Sequence, residues 1–188
     1  MPIGTTFPEV LAAAQAGAGW AFEVIYRDLA PVLTGYLRLQ GAAEPDDLAS
    51  ETFIGVFQGL AAFRGDEAGL RAWVFTIGRR RLVDEWRRRG RRPFLVGDGA
   101  DALHEYGGGD AEEDALVLMG SRAVHELCAR LPDDYRDVLL LRILADLTVE
   151  QVAAVLGKTV PAVKALQRRG LTTLRRDVCD RSDSAAPL

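Results

Sequence analysis

Helical periodicity without alternating runs predicts an all-α fold: two small helical domains joined by a flexible acidic linker, the C-terminal one containing a helix-turn-helix. The division rests on composition, since glycine gathers around Gly97 to Gly109 between segments of regular apolar spacing. It rests equally on charge. Residues 79–92 read RRRLVDEWRRRGRR, eight arginines against Asp84 and Glu85, and 158–176 carry Lys158, Lys164, Arg168, Arg169, Arg175 and Arg176 with no acid. Between them, Pro93 to Ser121 hold Asp98, Asp101, Glu105, Asp110, Glu112, Glu113 and Asp114 with no Lys or Arg. At 188 residues and 48% hydrophobic content the chain is long enough for two packed cores. The expected boundaries are a first domain at 1–93, the linker at 94–111, a second domain at 112–177 and a disordered tail at 178–188.

The first helical region spans about Pro8 to Gln40, broken near Gly17 to Gly19, with Phe22, Ile25, Tyr26, Leu29, Leu33, Tyr36 and Leu37 on an inward stripe. Gly41 and Pro45 end it and open a second helix, about Pro45 to Phe63. Asp46 and Asp47 stand in its first turn, where the helix dipole favours negative charge. Its apolar set is Leu48, Phe53, Ile54, Val56, Phe57 and Leu60. A short loop, RGDE at 64–67, precedes a third helix from about Gly69 to Arg89. That helix is apolar on more than one side: Leu70, Trp73, Val74 and Ile77 read as core, while Phe75, Leu82 and Trp86 lie elsewhere.

After Pro93 the linker of roughly 19 residues spans about 60 Å if extended, at about 3.3 Å per residue. Helicity resumes near Glu112 with Leu116, Leu118, Met119, Val124, Leu127 and Leu131, and restarts at Pro132, where proline suits a first turn. The segment TVEQVAAVLGKTVPAVKAL at 148–166 has helix-turn-helix spacing. Thr148 and Gln151 form a capping-box pair, Ala153 is small where the helices cross, and Gly157 follows at the turn. Thr159 can cap the second helix, and Pro161 falls within its first turn. Projection places Val163, Leu166, Gly170 and Leu174 inward. Lys164, Arg168, Arg169 and Arg175 then lie on or beside the outward face, as a recognition helix in a major groove requires.

Net charge is −4, yet two cationic surfaces suit a polyanion, because phosphate contacts depend on local charge. Cys128 and Cys179 are the only cysteines and lack CxxC spacing, so no disulfide framework or structural zinc site is indicated, and a reducing, cytoplasmic setting fits best. The N-terminus shows no signal-peptide pattern, and no stretch reaches the ~20 apolar residues of a membrane span. His125 and Cys128 could begin a metal site, but no further ligand completes one, and His104 falls in the linker. No catalytic constellation, cofactor or metal is expected.

The order DDLASETF (46–53), FRGD (63–66), LRAWVFTIGRRRLVDEWR (70–87) and then the helix-turn-helix resembles the extracytoplasmic-function group of sigma-70-family RNA polymerase sigma factors. The resemblance covers nearly the whole chain, with 20–93 like the promoter −10 domain and 112–176 like the −35 domain. It implies a subunit that binds core RNA polymerase (beta and beta-prime subunits) and promoter DNA and directs initiation, with an anti-sigma factor as a further partner. Asp46, Asp47, Glu51 and Thr52 occupy positions that dock on a coiled coil of the polymerase clamp. The loop at 61–67 resembles one that receives a flipped −10 base, with Phe63, Arg64 and Asp66 as sources of stacking and polar contacts. Arg79, Arg80, Asp84, Arg87 and Arg88 are the remaining −10 candidates. Many family members carry Asn where this chain has Arg80, and arginine there suits phosphate. Thr159, Lys164, Arg168, Arg169 and Arg175 are the −35 candidates. In the family the linker threads the polymerase cleft, where its carboxylates would mimic an RNA backbone; an extended, self-repelling tether accounts for the same composition. A second reading is a stand-alone helix-turn-helix regulator whose first domain is a sensor or dimerisation unit, and a third is a protein that sequesters another regulator.

Overall fold

The computed structural model describes residues 3–90 and 126–184, with side chains to 178, and these are helical throughout apart from their connections. The linker, both histidines and the apolar positions 116–124 lie outside the described residues. In chain order the helices are α1 (Phe7–Gln15), α2 (Gly19–Leu39), α3 (Pro45–Gly59), α4 (Glu67–Arg88), α5 (Asp133–Ile143), α6 (Val149–Leu156) and α7 (Val160–Ser184). Short 3-10 turns occupy Gly4–Thr6 and Leu60–Ala62, and a helical turn at 126–130 leads into α5.

α2, α3 and α4 form the N-terminal body, with α1 laid across α2. Ile25, Leu33 and Leu37 of α2, Phe53 and Val56 of α3, and Leu70, Val74 and Leu82 of α4 are buried between them. Gly78 sets the α2–α4 spacing, since a Cβ there would fall 2.8 Å from Cδ1 of Leu33. Asp28 and Arg71 tie the same two helices through a largely buried ion pair at 3.2 Å. In the C-terminal head, α5 packs on α7, and α6 and α7 form the helix-turn-helix. Its capping box is present as expected, with Thr148 Oγ1 accepting from Gln151 N–H and Gln151 Oε1 accepting from Thr148 N–H. Gly157 ends α6 at φ 62°, a left-handed conformation that glycine adopts without a Cβ clash. Val163 and Gly170 are buried, and Leu166 and Leu174 half-buried, as projected.

Several expectations need correction. Tyr26 and Ile54 are 41% and 57% exposed. Tyr26 meets Phe53 edge-on with ring centroids 4.9 Å apart, and Ile54 sits about 100° around the helix from Phe53, off the buried face. Trp73 and Ile77 pack against the core as expected, though half-buried, and the residues set apart from them, Phe75, Leu82 and Trp86, are buried as well. The apolar surplus of α4 has a physical reason: the helix lies between the N-terminal body and the C-terminal head, contacting α2 and α3 on one side and α6 on another. α7 continues to Ser184, past the 178 boundary expected for the tail.

Candidate nucleic-acid interface

The recognition helix α7 carries its cations outward. Lys164, Arg168, Arg169 and Arg175 are exposed, and none has an ion-pair partner among the described residues. Lys158, at the turn, pairs with Asp134 at 3.3 Å. Thr159 caps α7, its Oγ1 accepting from Ala162 N–H at 3.4 Å. The buried face opposite is fixed by α5, so the cationic face points away from the head's own core.

On α4 the arginines divide. Arg80, Asp84 and Arg87 share one exposed stripe, with Arg88 beside it; Arg87 pairs with Asp84 at 3.4 Å and Arg88 Nε donates to the Asp84 carbonyl. Arg79, grouped with them in the sequence, points about 100° away into the contact between the two heads. There its guanidinium donates to Asp137 Oδ2 of α5 at 2.9 Å. Asp137, only 3% exposed, also accepts from Gln40 Nε2 and, at 3.5 Å, from the Tyr36 hydroxyl. Burial opposes the Arg79 charge, but the Asp137 carboxylate outweighs it and holds the guanidinium above its usual pKa. Burial, then Asp137, pushes the Tyr36 phenol well up. A second link joins Gln151 Nε2 to the Ala68 carbonyl at 3.0 Å, placing the start of the helix-turn-helix against the first turn of α4. Arg79 is therefore not an open DNA contact in this arrangement.

The loop between α3 and α4 is tightly bonded. Phe63 stacks on Trp73 with centroids 5.4 Å apart. Arg64 is exposed, but its Nη1 donates to the carbonyls of Ala61 and Phe63. Asp66 caps α4, accepting from Gly69 N–H at 2.7 Å. On the docking face, Asp46 and Asp47 are exposed in the first turn of α3, with Asp46 3.4 Å from Arg38, and Glu51 pairs with Arg81 at 2.9 Å. Thr52 does not belong to that face. It is fully buried, and its hydroxyl donates to the Leu48 carbonyl at 2.7 Å, since it lies one residue around the helix from Glu51, on the core side.

Sequence reasoning missed Glu85, buried in α4, which accepts from Ala43 N–H at 3.1 Å and pairs with Arg89 at 3.3 Å. It also missed Asp137 and Gln40 at the head-to-head contact. Cys128 is buried and its thiol pKa raised by that burial. No helix of the described residues is long and apolar enough to cross a membrane.

Comparison with known proteins agrees with this layout. Residues 25–92 match the Sigma-70 region 2 family and residues 121–174 the Sigma-70 region 4 family. The chain is 31% identical over 142 residues to the ECF RNA polymerase sigma factor ShbA of Streptomyces griseus, covering 73% of this chain and 74% of that one. It is 30% identical to the ECF RNA polymerase sigma factor BldN of Streptomyces coelicolor, covering 89% of this chain and 64% of that one. For the ECF RNA polymerase sigma factor SigD of Mycobacterium tuberculosis the identity is 28%, over 97% of this chain and 88% of the relative. In fold it is similar to CnrH in a complex with the cytosolic domain of CnrY, with a TM-score of 0.66, 22% identity and coverage of 96% and 99%. A sensor or dimerisation unit at the N-terminus is displaced by the region 2 match. The chain belongs to the extracytoplasmic-function RNA polymerase sigma factors of the sigma-70 family.

Proposed function

We propose that this chain binds core RNA polymerase through α3, reads a −35 duplex with α7 and engages the −10 element with the exposed stripe of α4 and the loop at 61–67. The carrying observation is a capped helix-turn-helix whose four outward cations, Lys164, Arg168, Arg169 and Arg175, have no acidic partner among the described residues. Duplex phosphate and base edges supply the missing anions and acceptors. On α4, Arg80, Arg87 and Arg88 serve the −10 DNA, with Asp84 bracing Arg87. Arg79 joins them only after the heads part.

Parting is a geometric requirement of this reading. Elements named for positions −35 and −10 are about 25 base pairs apart, about 85 Å at ~3.4 Å per base pair. Heads in contact through Arg79–Asp137 and Gln151–Ala68 do not reach both. The docking acids are Asp46, Asp47 and Glu51. The polymerase performs the chemistry and this subunit supplies no catalytic step, which places it in the cytoplasm with the enzyme it serves. The family resemblance adds an anti-sigma factor as a third partner. Co-purification with core polymerase, followed by mapping of transcription start sites after induced expression, tests the assignment. New start sites sharing −35 and −10 sequences are expected; retention of DNA binding with no polymerase association would favour a stand-alone regulator.

A further inference from the structure

The loop between α3 and α4 is held from outside by one side chain. Gln15, the last residue of α1, donates through Nε2 to the carbonyls of Leu60 at 3.0 Å and Phe63 at 2.9 Å. At the loop's other end, Glu67 accepts the N–H groups of Ile3 at 2.7 Å and Gly4 at 2.9 Å. Residues 3–15 therefore clamp both ends, and they precede the region 2 match, which begins at residue 25. Packing does not demand the Gln15 contacts, since Phe7, Val10 and Ala14 already bury α1. Both bonds go to backbone, so they hold the carbonyl that opens the 60–63 turn and Phe63's own carbonyl at its end. Phe63 is then stacked on Trp73, with its ring tip so close to Gly65 that a Cβ there would fall 2.9 Å from Cζ.

We infer that Gln15 is a positioning residue for capture of an unstacked −10 base, holding the 60–63 backbone so that Phe63, Arg64 and Asp66 are presented in one arrangement. This rests on the base-capture reading of the loop. A loop ordered on folding does not have to be ordered again when the base arrives, so the brace acts on promoter opening and not on encounter. Gln15→Glu is isosteric but replaces the two-proton donor with an acceptor facing two carbonyls; Gln15→Lys keeps a donor.

The test uses full-length Gln15→Glu, Gln15→Lys and Phe63→Ala/Asp66→Ala chains, each assembled with core polymerase. Core affinity, closed-complex binding and permanganate-reactive thymines are measured on duplex and premelted promoters. Loss of two hydrogen bonds should lower opening by Gln15→Glu about tenfold, with core affinity and closed-complex binding unchanged. Premelting should restore initiation, Gln15→Lys should open normally, and adding Gln15→Glu to the loop variant should change little, because both act at one step. Normal opening by Gln15→Glu beside an impaired loop variant would overturn the role of Gln15 and leave the loop reading standing. A Gln15→Glu defect that persists on premelted template, or that lowers core affinity, would mean a damaged body and would equally overturn it. A loop variant that opens normally would remove base capture, and this inference with it.

Discussion

Arg79 and Arg80 are neighbours in the chain and differ in fate: one is paired with Asp137 across the head-to-head contact, and the other stands exposed on α4. Residue type alone cannot separate them, but position around the helix does. Among the C-terminal cations Lys164 and Arg168 share one exposed face, and chemistry divides them, a forked guanidinium against a point-charge ammonium. Replacing Arg168 with Ala is expected to weaken −35 binding by about 1–3 kcal/mol and to shift preference at one base, as loss of a bidentate base contact does. Replacing Lys164 should weaken all duplexes alike and flatten the salt dependence. Binding titrations on matched and scrambled duplexes at several salt concentrations check both. Tyr36 gives a pH prediction. Its pKa is raised in the fold, so the unfolded chain loses the phenolic proton first, at about pH 10. Its stabilising contribution is complete below that pH and falls as pH rises toward the folded value. Alkaline thermal melts should show this slope in the parent chain and a shallower one in Tyr36→Phe.

At the scale of elements, α3 is an amphipathic helix with Asp46 and Asp47 at its dipole-positive start and Glu51 one turn on. Charge reversal of Asp47 and Glu51 should weaken polymerase binding with circular dichroism unchanged, because both are exposed. Unaltered affinity in a fluorescence titration would rule this face out of polymerase docking. Elements with local signals were legible in the sequence: the Thr148–Gln151 box, the break before Gly19, the Pro45 start and the turn at Gly157 all appear where their side-chain and backbone chemistry put them. What depended on a distant partner was not. The apolar surplus of α4 was visible, but its cover by α6 was not, since periodicity reports that a face is buried and not by what. Thr52 was misplaced for a related reason: motif position assigned it to a surface that its own helical phase turns inward, whereas Arg79 is covered by Asp137 of the other head. Glu85 and Asp137 left no sequence signal, because a buried acid with a distant donor looks like any charged residue on a wet helix.

The whole molecule has its two heads packed together through a polar contact in which Asp137 accepts from Arg79, Gln40 and Tyr36. Breaking a buried ion pair by removing one partner costs about 3–5 kcal/mol, and Asn at 137 leaves Arg79 without its counter-charge and turns an NH2 toward groups that all donate to Asp137. Asp137→Asn should therefore leave each head folded but loosen their contact, seen as a larger distance between labels placed on α3 and α7 of the free chain. An unchanged distance would show that apolar packing between α4 and α6 holds the heads by itself.

One chain, acting with core polymerase, is proposed to read both promoter elements. Run-off transcription by core polymerase plus this chain measures it directly, on a mapped promoter and on versions with the −35 or the −10 sequence scrambled separately. A specific transcript is expected from the intact promoter, none from core polymerase alone, and a large loss from either scramble. A transcript indifferent to one of the elements, or none with any template despite tight duplex binding, would contradict it.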